Sequence, residues 1–561
     1  MPNMLDEKYT TFRTPFIYWY EDPRQWEPGI ITRAEFEKTV LKAAGVLWRL
    51  GLKPGDRFVN GFGRNDPADM AFRRAAALTH TTPVTINWQA DTPERAAWKA
   101  SVTKAKLLLR DKTISPDIIK AVQKKCAEIC VYDTSRLQLE PTPGDGSFAR
   151  SQKPSTDDEK IIIFTSGTTG DPKGVVLTRG NYDTNAATFS DFFDTPRPEP
   201  IQLVMVNPMH HANSSAMFDW ILREPGAVIH LLPKYTTPYW RILAEVVEKA
   251  SGLVIAPGVS RHFDFLEELA AKGKLPIDEQ RLRKALAGVT FLLGSAPVGP
   301  TTVERLMKWT GRPPLVRFGS TETCLQVTGT PTAMAREQVM ESFRAGWERR
   351  PSPGYFIGRP HPPCTEASVV KSVDPSDDDY LEPCAPGEEG RLVARGGNVM
   401  REYLGAPGAT GEVLRQGWYL GFGDVGFYLE NPRDGQMDLY WLGRESALVI
   451  KGGANYACDQ IAAELERFVV ERYCLKQGSF DLAVVGVRLE SEHEDTCCVT
   501  IDVSGLDNDV AKDIEVTFIN EAAGAVSKGA KPQRLRFGPV PRNFKGAVKI
   551  GELKKTWDRC H

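Results

Sequence analysis

The sequence predicts an α/β protein in two unequal parts: a large N-terminal domain, residues 1–445, of layered parallel-sheet and helix subdomains, and a small α+β C-terminal domain, residues 446–561. Three observations carry the prediction. The chain has 561 residues, well past the roughly 250–300 at which a single core stops growing. Short apolar strand-like runs alternate with segments of helical periodicity twice along the N-terminal part, the pattern of a parallel sheet with helical crossovers. From about Ser446 the pattern resets into a shorter mixture of helices and strands, roughly 115 residues long, a size compatible with an independent unit.

The elements follow in chain order. Thr32 and Glu35 read as a capping box, Phe36, Val40, Ala44, Leu47 and Trp48 follow at helical spacing, and Gly51 supplies the stop. GLKPGDRFVNGF then reads as turn and strand, Asp66 to Leu78 as a helix, and TTPVTINW as a strand. Leu137 to Lys160 is so rich in Pro, Gly, Ser and charge that it reads as an exposed connection. The second alternation opens at the apolar run Ile161 to Phe164, with QLVMVNPM, GAVIHLL, GLVIAPG and GVTFLLGSAP as candidate strands. Ser372 to Gly390 carries many carboxylates without the Asp–Gly spacing of a calcium loop, and reads as a solvated turn. The C-terminal part reads as a helix near Asp459 to Tyr473, strands in DLAVVGV and CCVTIDV, a helix from Asp509 to Val526, a strand in RLRFGPV and a lysine-rich tail.

Bulk properties narrow the function. A net charge of −2, with 25% charged and 41% apolar residues, offers no electrostatic footprint for nucleic acid or an anionic membrane, which favours small-molecule partners. No window approaches the ~18 uninterrupted apolar residues of a membrane span, and neither MPNMLDEKYTTFR nor DRCH resembles a targeting signal, so a cytoplasmic location is expected. Cys126 with Cys130, and Cys497 with Cys498, lack partners at zinc-site spacing, and buried free thiols are expected at both pairs.

Chemistry enters with TSGTTGDPKG, Thr165 to Gly174, directly behind the apolar run. A glycine-rich turn lets successive backbone N–H groups converge on an anion without a Cβ in the way. Ser166, Thr168 and Thr169 add hydroxyl donors and Lys173 a positive charge. The spacing is not that of a Walker loop. From these residues alone, a nucleotide-phosphate cradle and a flexible surface turn are equally compatible.

TSGTTGDPKG is followed in order by RFGSTET (Arg317 to Thr323), GWYLGFGDVG (Gly417 to Gly426) and WLGRESALVIKGGANY (Trp441 to Tyr456). With LKPGDRF, GSAP, GRP, GEEGRLVARGGNVMREYLG and DLAVVGV, the set resembles the adenylate-forming superfamily of acyl-CoA synthetases, adenylation domains and firefly-type luciferases along nearly the whole chain. The resemblance is greatest to a carboxylate–CoA ligase. It implies a reaction in which ATP with Mg²⁺ adenylates a carboxylic acid and releases pyrophosphate, after which coenzyme A displaces AMP. It also implies a mobile C-terminal domain. Alternatives of the same kind are loading of a carrier protein, or a nucleotide-binding homologue without turnover.

The resemblance assigns residues. Thr165, Ser166, Gly167, Thr168, Thr169, Gly170 and Lys173 would hold the β- and γ-phosphates. Gly294, Ser295, Ala296 and Pro297 would wall the adenine, with Phe318 stacking on it and Gly319 leading to Thr321 at phosphate and Glu322 at Mg²⁺. Asp424 would receive the ribose hydroxyls and Arg444 nucleotide oxygens. Phe422 stands where the family has threonine, and Ser446 and Ala447 where a hinge Asp or Lys and an acidic residue are usual. Gly452 and Gly453 resemble the lining of a thiol tunnel, and His211, with Ser214 nearby, falls in the acid pocket. In PRNFKGAVKIGELKK the adenylation lysine corresponds to Lys549 if the pattern is paired at its Lys–Ile, with Lys545 as another candidate, while ungapped pairing puts Ala547 there. Asp219 reads as structural rather than as an amine anchor.

Overall fold

The capping box forms as its residues dictate: the Glu35 amide donates to Thr32 Oγ1 at 3.2 Å and the Thr32 amide to Glu35 Oε2 at 2.8 Å, starting the helix Arg33–Arg49. Its face of Phe36, Val40, Ala44 and Leu47 is buried, whereas Trp48, expected on that face, is 43% exposed with the Lys53 ammonium over its ring. The computed structural model describes residues 14–25, 27–89, 91–143, 154–165, 172–295, 298–350, 353–444, 448–451, 454–487, 489, 495–526, 531–543 and 546–558. Each predicted alternation supplies most of one sheet, but the run Ile161 to Phe164, expected to open the second, pairs with Thr82–Thr85 in the first. The first gives a seven-stranded sheet in the order Glu402–Tyr403, Gly174–Thr178, Glu159–Phe164, Thr82–Thr85, Arg57–Gly61, Leu107–Arg110, Cys130–Asp133. Helices Pro67–Thr79, Pro93–Val102 and Pro116–Lys125, each with Pro at its start, link its parallel members.

The second, larger sheet has a parallel run, Leu315–Phe318, Val289–Leu293, Leu253–Gly258, Ile201–Met205, Val228–Leu231 and Pro15–Trp19 in spatial order. All four candidate strands named from the sequence lie in this run. Antiparallel strands continue it past Leu315–Phe318 through Thr328–Gly329, Tyr355–Pro360 and Met437–Arg444 to Asp424–Glu430. The carboxyl ends of the parallel strands therefore share one edge, where ligands sit in α/β sheets.

The smaller C-terminal part has its own cores. Asp481–Val487, Thr496–Asp502 and Arg534–Phe537 form a three-stranded sheet covered by helices Cys458–Arg472 and Asn508–Ala522. The expected tail is instead a helix, Ile550–Asp558, because Leu553 and Trp557 fall on one face and are buried against Val485 and Cys498. The proposed boundary between 445 and 446 lies outside the described residues.

Two further expectations need correction. The exposed connection is shorter than Leu137 to Lys160: Leu137 is buried in the main core, and Glu159 and Lys160 begin a strand. Lys160 is drawn in because its ammonium meets the Asp219 carboxylate at 2.7 Å. The nine cysteines among the described residues are free thiols, but only five are buried; Cys130 and Cys474 are exposed. The solvated turn at 372–390 is largely exposed, as read, although Cys384 is packed beneath it.

Candidate active site

The phosphate-loop motif is carried by a hairpin. Its arms are the antiparallel strands Glu159–Phe164 and Gly174–Thr178, and the Thr165 amide closes the neck on the Lys173 carbonyl at 3.0 Å. Ser166, Gly167, Thr168, Thr169 and Gly170 lie outside the described residues. Lys173 is exposed, and its Nζ stands 4.9 Å from the centre of the Tyr403 ring, a cation–π contact. Tyr403 belongs to the two-residue strand Glu402–Tyr403, which pairs with the second arm of the hairpin.

Tyr403 also reaches the metal candidate. Its hydroxyl donates to Glu322 Oε1 at 3.0 Å, and the Met400 amide donates to the Glu322 carbonyl at 2.7 Å. Glu322 and Thr321 sit in the tight turn after Leu315–Phe318, and Glu322 is 8% exposed. Gly319 is required there: a Cβ would lie 2.0 Å from the Leu325 carbonyl oxygen. Burial and the neighbouring Glu322 charge raise the Tyr403 hydroxyl well above the usual tyrosine value, so it is a dedicated donor. No cluster of three or more metal-ligating side chains occurs among the described residues. A single carboxylate with one oxygen held by Tyr403 fits Mg²⁺, which is bound by one or two carboxylates together with substrate phosphates and water.

On the nucleotide side, Phe318 packs against Phe422, ring centres 5.2 Å apart and tilted by 43°. Phe422 in turn makes an edge contact with Tyr419 at 4.8 Å. The residue that departs from the family pattern thus fills its position as a ring behind Phe318. Gly294 follows the strand Val289–Leu293, and Ser295 is exposed in a left-handed conformation, φ 66°. Ala296 and Pro297 lie outside the described residues.

Asp424 and Arg444 end two antiparallel strands and are direct partners in register. A bulge sets this up: Val425 pairs with Gly443 but Gly426 with Trp441, leaving Leu442 as the extra residue. Trp441 Nε1 donates to Asp424 Oδ1 at 2.8 Å, orienting a carboxylate that is 5% exposed.

The acid-pocket candidates are clustered at the carboxyl end of Ile201–Met205. His211 is the N-cap residue of the helix Ala212–Ile221 without a side-chain capping bond; its ring lies 4.3 Å from that of His210. The Ser214 hydroxyl donates to the Asn207 carbonyl at 2.8 Å. The Asp219 carboxylate is held by Lys160 Nζ at 2.7 Å and by Arg223 Nη2 at 2.5 Å.

The structure thus brings Lys173 and Glu322 to Tyr403, with Thr321 in the same turn as Glu322, Phe318 against Phe422, and Asp424 opposite Arg444. It does not bring Lys549 to them. Lys549 directly precedes the last helix, is exposed, and pairs with Glu552 at 2.8 Å. Gly452, Gly453, Ser446, Ala447 and Lys545 lie outside the described residues. Sequence reasoning did not single out Tyr403, Trp441 or Arg317. Tyr403 stood within the quoted REYLG, and Arg317 was legible as a charge inside an otherwise apolar strand.

A model of the family described as AMP-binding enzyme matches residues 16–404. Among curated proteins, the chain is 27% identical over 462 residues to feruloyl-CoA synthase of Amycolatopsis sp, covering 82% of this chain and 80% of that protein. It is 25% identical over 527 residues to indoleacetate–CoA ligase of Aromatoleum aromaticum, covering 92% and 90%. Among solved structures, ATP-bound MatB from Rhodopseudomonas palustris superposes with a TM-score of 0.73 at 21% identity, over 99% of this chain and 98% of that one. The o-succinylbenzoate CoA synthetase MenE of Bacillus subtilis, in complex with its acyl-adenylate intermediate, gives 0.73 at 20% identity over 98% and 96%. No helix among the described residues is long and apolar enough to cross a membrane.

Proposed function

Because this chain belongs to the AMP-binding enzyme family of the adenylate-forming superfamily and is an AMP-forming acid–thiol ligase, we propose that it activates a small carboxylic acid with ATP and passes the acyl group to coenzyme A. The observation that carries the reading is the linkage of Lys173 and Glu322 through one tyrosine. A cation suited to a polyphosphate and a carboxylate suited to Mg²⁺ converge on the same place. The names of the relatives, feruloyl-CoA synthase and indoleacetate–CoA ligase, support coenzyme A as the thiol.

In the first step an oxygen of the acid attacks the α-phosphorus of ATP. The bond to the bridging oxygen breaks, and pyrophosphate leaves with that electron pair. The residues from Thr165 to Gly170 and Lys173 orient the departing phosphates, and Thr321 contacts phosphate from the turn. Glu322 holds Mg²⁺, which when bound offsets charge on the phosphate oxygens. Phe318 stacks on adenine with Gly294–Pro297 as the wall, Asp424 accepts the ribose hydroxyls, and Arg444 reaches nucleotide oxygens from the facing strand. His211 borders the acid. In the second step the thiol of coenzyme A adds to the acyl carbon, AMP leaves, and the thiol proton passes to solvent.

Lys549 is assigned to the attacking carboxylate, with residues 446–561 as a mobile domain that carries it to residues 1–445 for adenylation. Its present partner Glu552 lies three residues on, in the helix that Lys549 precedes, an exposed pair of small net strength that does not oppose release. Gly452 and Gly453 then line the thiol path in the second step.

Acid-dependent exchange of labelled pyrophosphate into ATP, followed by coenzyme A-dependent release of AMP, tests the reading. Exchange with at least one acid and thioester formation on adding coenzyme A are expected. A folded protein that neither binds ATP nor exchanges pyrophosphate with any of a broad panel of acids would refute it.

A further inference from the structure

Arg317 has no task in the reaction as described, yet it is a cation placed where a cation is costly. It lies in the strand Leu315–Phe318 and is 5% exposed. Its Nε and Nη2 are buried with no hydrogen-bond partner. No carboxylate forms an ion pair with it among the described residues. Burial alone acts on its guanidinium, pulling it down to about 10, which leaves it charged at neutral pH. Buried arginines in proteins are normally paired, because an isolated buried charge loses its hydration without return.

The two open donors identify what is missing. Nε and Nη2 form one edge of the guanidinium fork, the edge that takes a carboxylate side-on. Elsewhere in this molecule the same two atoms do so: Arg57 holds Glu159 through Nε at 2.9 Å and Nη2 at 2.8 Å, and Arg281 holds Glu248 at 2.8 Å and 2.7 Å. Arg317 offers that edge with no protein carboxylate on it.

Glycines on both neighbouring strands accommodate the arginine. Leu293 pairs with Val316, so the next residue, Gly294, lies beside Arg317 on one neighbouring strand. Gly329 is its register partner on the other. A Cβ at residue 294 would stand 3.0 Å from Arg317 Cγ and 3.1 Å from Cζ; one at 329 would stand 3.0 Å from Gln326 Nε2 and from Phe192 Cε2. Two glycines therefore flank the arginine at the carboxyl end of the parallel strands, the ligand-binding edge. Strand alternation sends Arg317 to the opposite face from Phe318, away from the assigned adenine position.

We propose that Arg317 binds a second carboxylate of the acid, remote from the carboxyl that is adenylated, so that the substrate class is a dicarboxylic acid. This rests on the ligase reading above for the reacting end of the molecule. The reacting carboxyl must meet the nucleotide at Thr321 and Glu322, past Phe318; the second carboxylate points back to the other face of the strand.

The test uses the full-length protein and a ladder of straight-chain dicarboxylates from malonate to suberate, with the benzenedicarboxylates, each beside its monomethyl ester. Two readouts are taken: acid-dependent pyrophosphate exchange, and calorimetric binding of the acid in the presence of AMP. The wild-type protein is expected to favour at least one diacid over its monoester by about 100-fold or more in kcat/KM. Arg317→Met should abolish that preference and Arg317→Lys should restore part of it; the ratio within each protein cancels general losses of activity. Equal use of diacid and monoester by the wild type, or a preference that survives Arg317→Met, overturns the proposal and leaves the ligase reading standing. Diacid binding that depends on Arg317 without any exchange upholds a carboxylate site at Arg317 and overturns its assignment to an acid that is adenylated. Absence of diacid binding by calorimetry overturns the proposal.

Discussion

Asp219→Ala tests whether the charge cluster beneath the acid pocket holds the fold or the substrate. In the wild type, the Asp219 carboxylate meets Lys160 Nζ at 2.7 Å and Arg223 Nη2 at 2.5 Å and Nε at 3.0 Å, with Asp219 6% exposed and the Lys160 side chain 13% exposed. Removing the carboxylate strands a buried ammonium, for which a loss of about 3–5 kcal/mol is expected. At about 2–4 °C per kcal/mol for a domain of this kind, the unfolding midpoint should fall by roughly 6–20 °C. A tryptophan-fluorescence thermal scan would measure this, since Trp220 lies one residue away and is fully buried. Burial pushes the Asp219 carboxyl up, but the Lys160 and Arg223 charges outweigh it and hold the group down to about 2. A folded value below the unfolded one gives stability that is complete above the unfolded value. That stability, about 2 kcal/mol, disappears as pH falls through the window from about 3.8 to 2. The variant should lack this acid-sensitive component. At low temperature its KM for the acid should be unchanged. A midpoint within about 1 °C of wild type, with a raised KM, would refute the structural assignment and make Asp219 a substrate anchor.

Two other substitutions address the reaction. Lys549→Ala should sharply reduce adenylation, read as pyrophosphate exchange, while thioester formation from a supplied acyl-adenylate persists; unchanged exchange would remove Lys549 from the role. Tyr403→Phe keeps the ring under Lys173 but leaves a Glu322 oxygen without its donor, worth about 1–3 kcal/mol. The expected result is a lower unfolding midpoint together with a higher Mg²⁺ requirement for exchange, and a variant unaffected in both would show that Tyr403 does not orient Glu322.

Local signals were read well because their causes are local. The capping box at Thr32 and the candidate strands from QLVMVNPM to GVTFLLGSAP needed only neighbours in the chain. What escaped depends on partners distant in sequence. Lys160 looked solvated because its composition-rich surroundings are, and only the fold supplies Asp219. Phe422 looked like a lost hydroxyl, since nothing in GWYLGFGD reveals that its ring meets Phe318. The last helix was hidden by its lysines, which outnumber the buried Leu553 and Trp557 that decide its fate. Tyr403 matters because it joins two segments, and one-dimensional patterns do not report such junctions.

The extra residue at Leu442 bends the strand end without changing which residues pair there. Excising that single position would leave Trp441 opposite Gly426, Gly443 opposite Val425 and Arg444 opposite Asp424 as consecutive pairs, but would remove the added twist that a bulge supplies. An enzyme shortened by one residue there would keep its core, every motif in its written order and the facing of Asp424 and Arg444, yet would aim that pair along a straighter strand.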